Sequence, residues 1–227
     1  MEKFHPILYS TPMVQAILED RKTKTRRLRG LEEMNNCPDK WLPYAGDYFI
    51  DGNGRLNQKF YIPGGYSSHA VCPYGKVGDV LWVRETFQSI LVGGENGMES
   101  AFIYKADDDC YKDTIEDWGG WKPSIFMPKS ACRIFLKITD IKVERLQDIS
   151  EDDAIKEGVL LHERGKHWLN YLDQKHGLTQ FIYNCRSAKQ SFQTLWELIN
   201  GRESWYVNPF VWVISFKQIN KPENFNS

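Results

Sequence analysis

Residues 209–216 constrain the fold more tightly than any other stretch. In an extended chain Phe210, Trp212, Ile214 and Phe216 fall on one face, and Val211 and Val213 fall on the other. A strand that is apolar on both faces belongs inside a sheet that is covered on both sides. Two further stretches alternate in the same way. At 132–143, Ile134, Leu136 and Ile138 oppose Arg133, Phe135, Lys137 and Thr139. At 80–87, Leu81 and Val83 oppose Val80, Trp82 and Arg84. Shorter strands are expected at 4–9 and 101–105. From Lys217 the sequence turns polar, which predicts a frayed tail.

Helix signals are fewer. Thr11-Pro12 reads as a helix start, with Thr11 as cap and Pro12 at the first helical position. Ser150 with Asp153 three residues on resembles a capping box, and Gly158 closes that short acidic helix. Ser187 with Gln190 is a second capping box. It opens a helix whose stripe Phe192, Leu195, Trp196 and Ile199 reads as core, with Gly201 as the stop. Strands with a few flanking helices predict an α+β fold. Two stretches break the pattern. Residues 28–70 are rich in Gly, Pro, Asn and Tyr, with hairpin-turn steps at Asp51-Gly52-Asn53-Gly54. Residues 160–186 carry His162, His167 and His176. Both read as insertions into one domain spanning 1–227, the first as a small hairpin laid on the outside and the second as a loop or helical flap.

Between the first helix and the next strand the apolar pattern gives way to Arg21, Lys22, Lys24, Arg26, Arg27 and Arg29. Alternation from Thr23 puts Thr25 and Arg27 on one face of a short strand, and Lys24 and Arg26 on the other. So many like charges repel, and a chain keeps them either as a solvated helix end or for an anionic ligand. The chain has 29 Lys and Arg against 30 Asp and Glu, so any contact with nucleic acid is expected from this local patch alone.

The run Ile17-Leu18-x-x-x-Lys22-Thr23-x-Thr25-x-Arg27 resembles the signature of the ASCH domain family, which has a PUA-like β-barrel. Thr25 in place of the family's more common Glu is similar to the small bacterial ASCH enzyme that hydrolyses N4-acetylcytidine. Asp20 departs from the family's Gly. Cys72-Pro73-Tyr74-Gly75, Leu81-Trp82-Val83-Arg84-Glu85 and the run from Trp121 to Lys129 resemble segments of phage-encoded ASCH-like proteins. Glu157 matches the position of a functional Glu in the family. The resemblance implies a PUA-like barrel with a cavity joining Lys22, Thr25 and Glu157, and an amidohydrolase acting on an acylated nucleoside. Thr25 is then the nucleophile, Lys22 its base, and Glu157 the group that holds the lysine or returns a proton.

Further binding candidates surround this trio. Arg26 and Arg27 suit a ribose phosphate or developing charge. Arg84 and Glu85 either face the ligand or form a surface ion pair. Trp121 suits base stacking, and Lys129 continues the same loop. Two other classes fit the same residues: a non-catalytic module that binds RNA or a modified nucleotide, and a phage accessory protein that blocks a host factor. No metal and no cofactor is expected. The five cysteines are odd in number and widely spaced, and His69 with Cys72 has no matching second pair. They predict neither zinc nor a disulfide framework, but a reducing cytoplasm. No apolar run reaches the length of a membrane span, and the first residues hold no signal-peptide core.

Overall fold

The computed structural model describes residues 2–94, 97–107, 115, 119–163, 165–175 and 182–226. Strand β1 (Phe4–Leu8), helix α1 (Thr11–Leu18) and strand β2 (Lys24–Arg27) open the chain. Helix α2 (Glu32–Asn36) leads to β3 (Leu42–Ile50), β4 (Leu56–Ile62) and β5 (Tyr66–Val71). Then come β6 (Val80–Arg84), the hairpin β7 (Phe87–Gly94) and β8 (Gly97–Tyr104), and the long β9 (Phe135–Arg145). Helix α3 (Glu151–Lys156), β10 (Trp168–Leu169), α4 (Tyr171–Lys175), β11 (Tyr183–Cys185), α5 (Ala188–Asn200) and β12 (Phe210–Ile219) complete it.

The fold is mixed α+β, with strands predominating. The principal sheet has five strands in the order β1-β6-β9-β12-β2. Strands β1 and β6 run parallel, and the other pairs are antiparallel. Strand β12 lies inside this sheet, and Phe210 to Ile214 are all buried, as its two apolar faces require. Among the described residues no pairing joins β1 to β2, so the expected closed barrel is not seen. The two edges are bridged instead by a side chain: Arg27 Nη2 donates to the Leu8 carbonyl at 2.8 Å.

The faces of β6 and β9 separate two hydrophobic clusters. Leu81, Val83, Ile134, Leu136 and Ile138 enter the main core. Val80 and Phe135 enter a smaller one, with Met127 and Phe225. That second cluster corrects the expected frayed tail. Strand β12 continues to Ile219, and Phe225 is fully buried with ring centroids 5.2 Å from Phe4 and 4.7 Å from Phe135.

The first insertion is larger and better integrated than a hairpin laid on the outside. Strands β3, β4 and β5 form a three-stranded antiparallel sheet. Trp41 and Phe60 from this region belong to the main core, and the Phe60 ring meets Phe210 edge-on at 5.3 Å. It is therefore one of the two covers that β12 needs. The second insertion forms a two-stranded ladder, β10 with β11, beside α4, which packs on α5. His176 and Cys110 lie outside the described residues. Among the described residues no helix is long and apolar enough to cross a membrane.

Candidate functional site

Helix α1 begins one residue earlier than its sequence signals suggest. Ser10 is the N-cap, without a side-chain capping bond, and Pro12 sits in the first turn. The helix ends in a tight turn in which Asp20 has φ +57°. Lys22 N–H then donates back to the Ala16 carbonyl at 2.9 Å, and Thr23 N–H donates to the Lys156 carbonyl at 2.9 Å. These bonds lay the chain from Lys22 onward against the end of α3, where Lys22 and Glu157 form an isolated antiparallel bridge.

At that crossing Lys22 Nζ donates to Glu157 Oε2 at 2.8 Å and to the Glu157 carbonyl at 2.7 Å. The two side chains are only 3% and 4% exposed. Burial pulls the Lys22 amine below the ordinary lysine value, against the opposing pull of Glu157. Arg26, one residue beyond Thr25 in β2, donates to Glu157 Oε1 at 3.1 Å, to Asp153 Oδ2 at 3.1 Å and to Glu144 Oε1 at 2.5 Å. Both oxygens of Glu157 are thus engaged by cations. Burial works against the charge on Arg26, but Glu157 and Glu144 outweigh it and raise its affinity for its proton. Lys24 reaches Asp153 Oδ1 at 2.6 Å. Burial opposes the Asp153 charge, and hydrogen bonds from Lys24 and Arg26 overcome it, so its carboxyl is held below the usual range.

Asp153 explains why the α3 capping box is half-formed. Ser150 Oγ accepts the Asp153 N–H at 3.1 Å, as expected. The Asp153 carboxylate turns toward β2 instead of back to the cap. Lys22, Lys24 and Arg26 face Glu157, Asp153 and Glu144, so most of the basic stretch is neutralised internally. Among the described residues Arg27 has no carboxylate partner. It donates to Leu8 O and lies 4.9 Å from the Tyr9 ring centroid.

Lys22, Thr25, Arg26, Arg27 and Glu157 line one side of a cavity of about 490 Å³. It opens between the two edge strands of the principal sheet. The corner from β1 to α1 contributes Leu8, Tyr9, Ser10 and Met13, and α5 contributes Phe192, Leu195, Trp196 and Ile199. Buried donors or hydroxyls without a partner concentrate here: Tyr9 Oη, Arg26 Nε, Arg27 Nε and Trp196 Nε1 all belong to lining residues. Burial pushes the Tyr9 phenol up to about 12, with Arg27 pulling the other way, so the hydroxyl keeps its proton at neutral pH.

Five of the expected site residues therefore meet, and four do not. Arg84 Nε donates to the Met127 carbonyl at 3.2 Å, and Arg84 Nη2 bonds the Ile125 carbonyl. It braces the loop that brings Ser124 to the cavity rim and does not itself line the cavity. Glu85 is buried and paired with Arg133 through bonds of 2.9 and 3.0 Å, so Arg84 and Glu85 form neither a surface pair nor part of the cavity. Lys129 Nζ sits 4.5 Å from the Phe225 ring centroid, over the second core. Trp121 is half-buried, next to the bridge between Lys122 and Phe87, away from the cavity lining.

The α5 stripe, read from its spacing as core, is also the cavity's apolar wall. Phe192, Leu195 and Trp196 are buried, while Ile199 is 62% exposed at the mouth. Periodicity finds a buried helical face but does not say whether protein or ligand completes it. Tyr9, Asp153 and Glu144 were not singled out as site residues. The departure of Asp153 from the usual capping Glu or Gln was the one available signal.

Comparison of the chain with protein-family models, with curated proteins and with solved structures returns no match.

Proposed function

We propose that the protein hydrolyses the amide of an acylated nucleoside of the N4-acetylcytidine type, in a PUA-like setting of the ASCH kind. The observation that carries this reading is the buried Lys22–Glu157 pair, which opens with Thr25 onto one partly apolar cavity. Lys22 Nζ has three bonding positions. Two are taken by Glu157, which leaves one for the cavity. In its neutral form the amine removes the Thr25 hydroxyl proton, and Thr25 Oγ1 attacks the acyl carbonyl. The C–N bond breaks as the proton passes to the leaving exocyclic amine. Water then cleaves the acyl-threonine, with Lys22 again taking and returning the proton. Glu157 accepts from Lys22 and Arg26 and so orients the amine, which makes it a positioning residue rather than the proton donor.

The cavity volume is of the size that small-molecule sites commonly have. Trp196, Phe192 and Tyr9 offer aromatic surface for a base, and the unpaired donors suit its carbonyl and ring-nitrogen acceptors. The test is a chromatographic assay on N4-acetylcytidine and a panel of modified nucleosides. Wild type is expected to release acetate and cytidine, Thr25→Ser to retain a measurable rate, and Thr25→Ala to lose on the order of 10³-fold or more. A rate unchanged in Thr25→Ala removes Thr25 as nucleophile. Saturable binding without turnover leaves a module that reads a modified base.

A further inference from the structure

The basic stretch holds more positive charge than its neighbouring carboxylates neutralise, and part of the surplus, Arg27, lines the cavity. Lys22, Lys24 and Arg26 each have a carboxylate partner. Among the described residues Arg27 and the exposed Arg29 have none. The Arg27 guanidinium is fixed by the Leu8 carbonyl and by the Tyr9 ring, and its Nε is buried without an acceptor.

Leu8 and Tyr9, which hold the guanidinium, belong to the corner that leads into α1. Ser10 gives that helix no side-chain cap, and no acidic residue occupies its first turn. Pro12 has no N–H, and the Met13 N–H already donates to the Ser10 carbonyl at 2.9 Å, so this helix start adds little to an anion site and Arg27 is the principal donor of the corner. The buried Tyr9 hydroxyl belongs to the same corner, beside the Thr25 and Arg27 side chains but without a hydrogen bond of good geometry to either. On the other side Tyr74 lines the cavity and lies within the fields of both Arg27 and Arg29. A fixed guanidinium without a carboxylate partner and a neutral phenol beside it together suit a tetrahedral oxyanion.

We propose that Arg27 and Tyr9 form a phosphate subsite of this cavity, so that its substrate is a nucleotide unit rather than a free nucleoside. The inference rests on the acyl-nucleoside reading for the identity of the attached base, but the anion subsite itself does not need it. The phosphate can belong to a free nucleoside monophosphate or to an RNA strand.

Two measurements test it. The protein is titrated with inorganic phosphate while the arginine Nε–H resonances are followed by NMR. N4-acetylcytidine, its 5′-monophosphate and a short oligonucleotide carrying the same base internally are then compared as substrates. Phosphate is expected to shift the Arg27 Nε–H signal. The monophosphate is expected to exceed the nucleoside in kcat/KM by about tenfold or more, as a charge-assisted contact allows. That ratio falls toward one in Arg27→Gln, recovers in part in Arg27→Lys, and falls by a smaller factor in Arg29→Gln. The phosphate titration and the nucleotide-to-nucleoside ratio of the wild type need no variant, so they test the subsite even if Arg27→Gln does not fold. A preference for the oligonucleotide over the monophosphate assigns the phosphate to a strand, and the reverse assigns it to a free nucleotide.

An Arg27 signal that phosphate leaves unmoved, or equal kcat/KM for nucleoside and nucleotide, overturns the subsite. Phosphate binding at Arg27 with none of the three compounds turned over keeps the subsite and removes the hydrolase. Turnover of the nucleoside with no phosphate effect does the reverse.

Discussion

A methyl group added to Gly158 would stand 2.9 Å from Cβ of Lys22, closer than packed carbons approach. It would also stand 2.9 Å from Cβ of Ala16, and Gly158 has φ +87°. The close crossing of the Lys22 segment and the end of α3 therefore depends on a residue without a side chain. Gly158→Ala is expected to cost about 2–4 kcal/mol in urea unfolding, from backbone strain together with overpacking. Gly165, at φ +71° with open space around its α-carbon, supplies the control. Gly165→Ala carries the strain alone and is expected to cost about 1 kcal/mol. Equal costs at the two sites would show that the Lys22 crossing yields without penalty.

The buried end of the chain makes a second prediction. Phe225 closes the smaller core against Phe4, Trp82 and Phe135. Phe225→Ala is expected to destabilise by about 3 kcal/mol, at the lower end of large-to-small core losses because a terminal segment can detach. Deleting 221–227 is expected to cost at least as much, since it removes the same ring together with the rest of the segment. Thermal unfolding of the two variants checks this. A deletion much more costly than the substitution would mean that polar contacts of the tail also hold it.

The principal strands were legible because their alternation is a local signal: β12, β6 and β9 present the expected faces. The tail was not. One aromatic after eight mostly polar residues has no periodicity, and only the cavity between Phe4 and Phe135 gives Phe225 its place. The extent of the 28–70 region was hidden for a similar reason, since β3, β4 and β5 become core through Trp41 and Phe60, whose partners lie far along the chain. At the site, Lys22, Thr25, Arg26, Arg27 and Glu157 were legible as a group. Arg84, Glu85 and Lys129 drew attention as charges, but each is used to hold a loop or a neighbour. Nothing in the sequence separates a cation that braces a carbonyl from one that awaits a ligand.

Tyr9 separates ligand binding from stability. Its hydroxyl is buried beside Thr25 and Arg27 and makes no hydrogen bond of good geometry with either. Removing an unpaired buried polar group is neutral or stabilising. Tyr9→Phe is therefore expected to leave the melting temperature unchanged or raise it by about 1–4 °C. The same change is expected to weaken a cavity ligand that accepts from the hydroxyl by about fivefold to tenfold, read by calorimetric titration. A clear drop in melting temperature would mean that the hydroxyl is satisfied within the protein.

Lys22 links the chemistry to pH. An unfolded chain holds this lysine protonated up to its ordinary value of 10.5, whereas burial makes the folded protein release the proton at lower pH. Between those two values the unfolded state binds more protons, so stability rises with pH across that window. The contribution is fully present above 10.5 and is lost as pH falls through the folded value. Lys22→Met removes the dependence, so the stability of wild type relative to the variant should grow as pH rises toward 10.5. Activity should follow the same group. The neutral amine is the base, so kcat is expected to climb with pH through a midpoint below 10.5, and Lys22→Met to abolish it. Losing the lysine also unpairs one oxygen of buried Glu157, at a cost of about 3 kcal/mol. Lys22→Met combined with Glu157→Gln should regain part of that stability and none of the activity. A kinetic midpoint at or above 10.5 would mean that Glu157 outweighs burial and that Lys22 works as a fixed cation, not as a base.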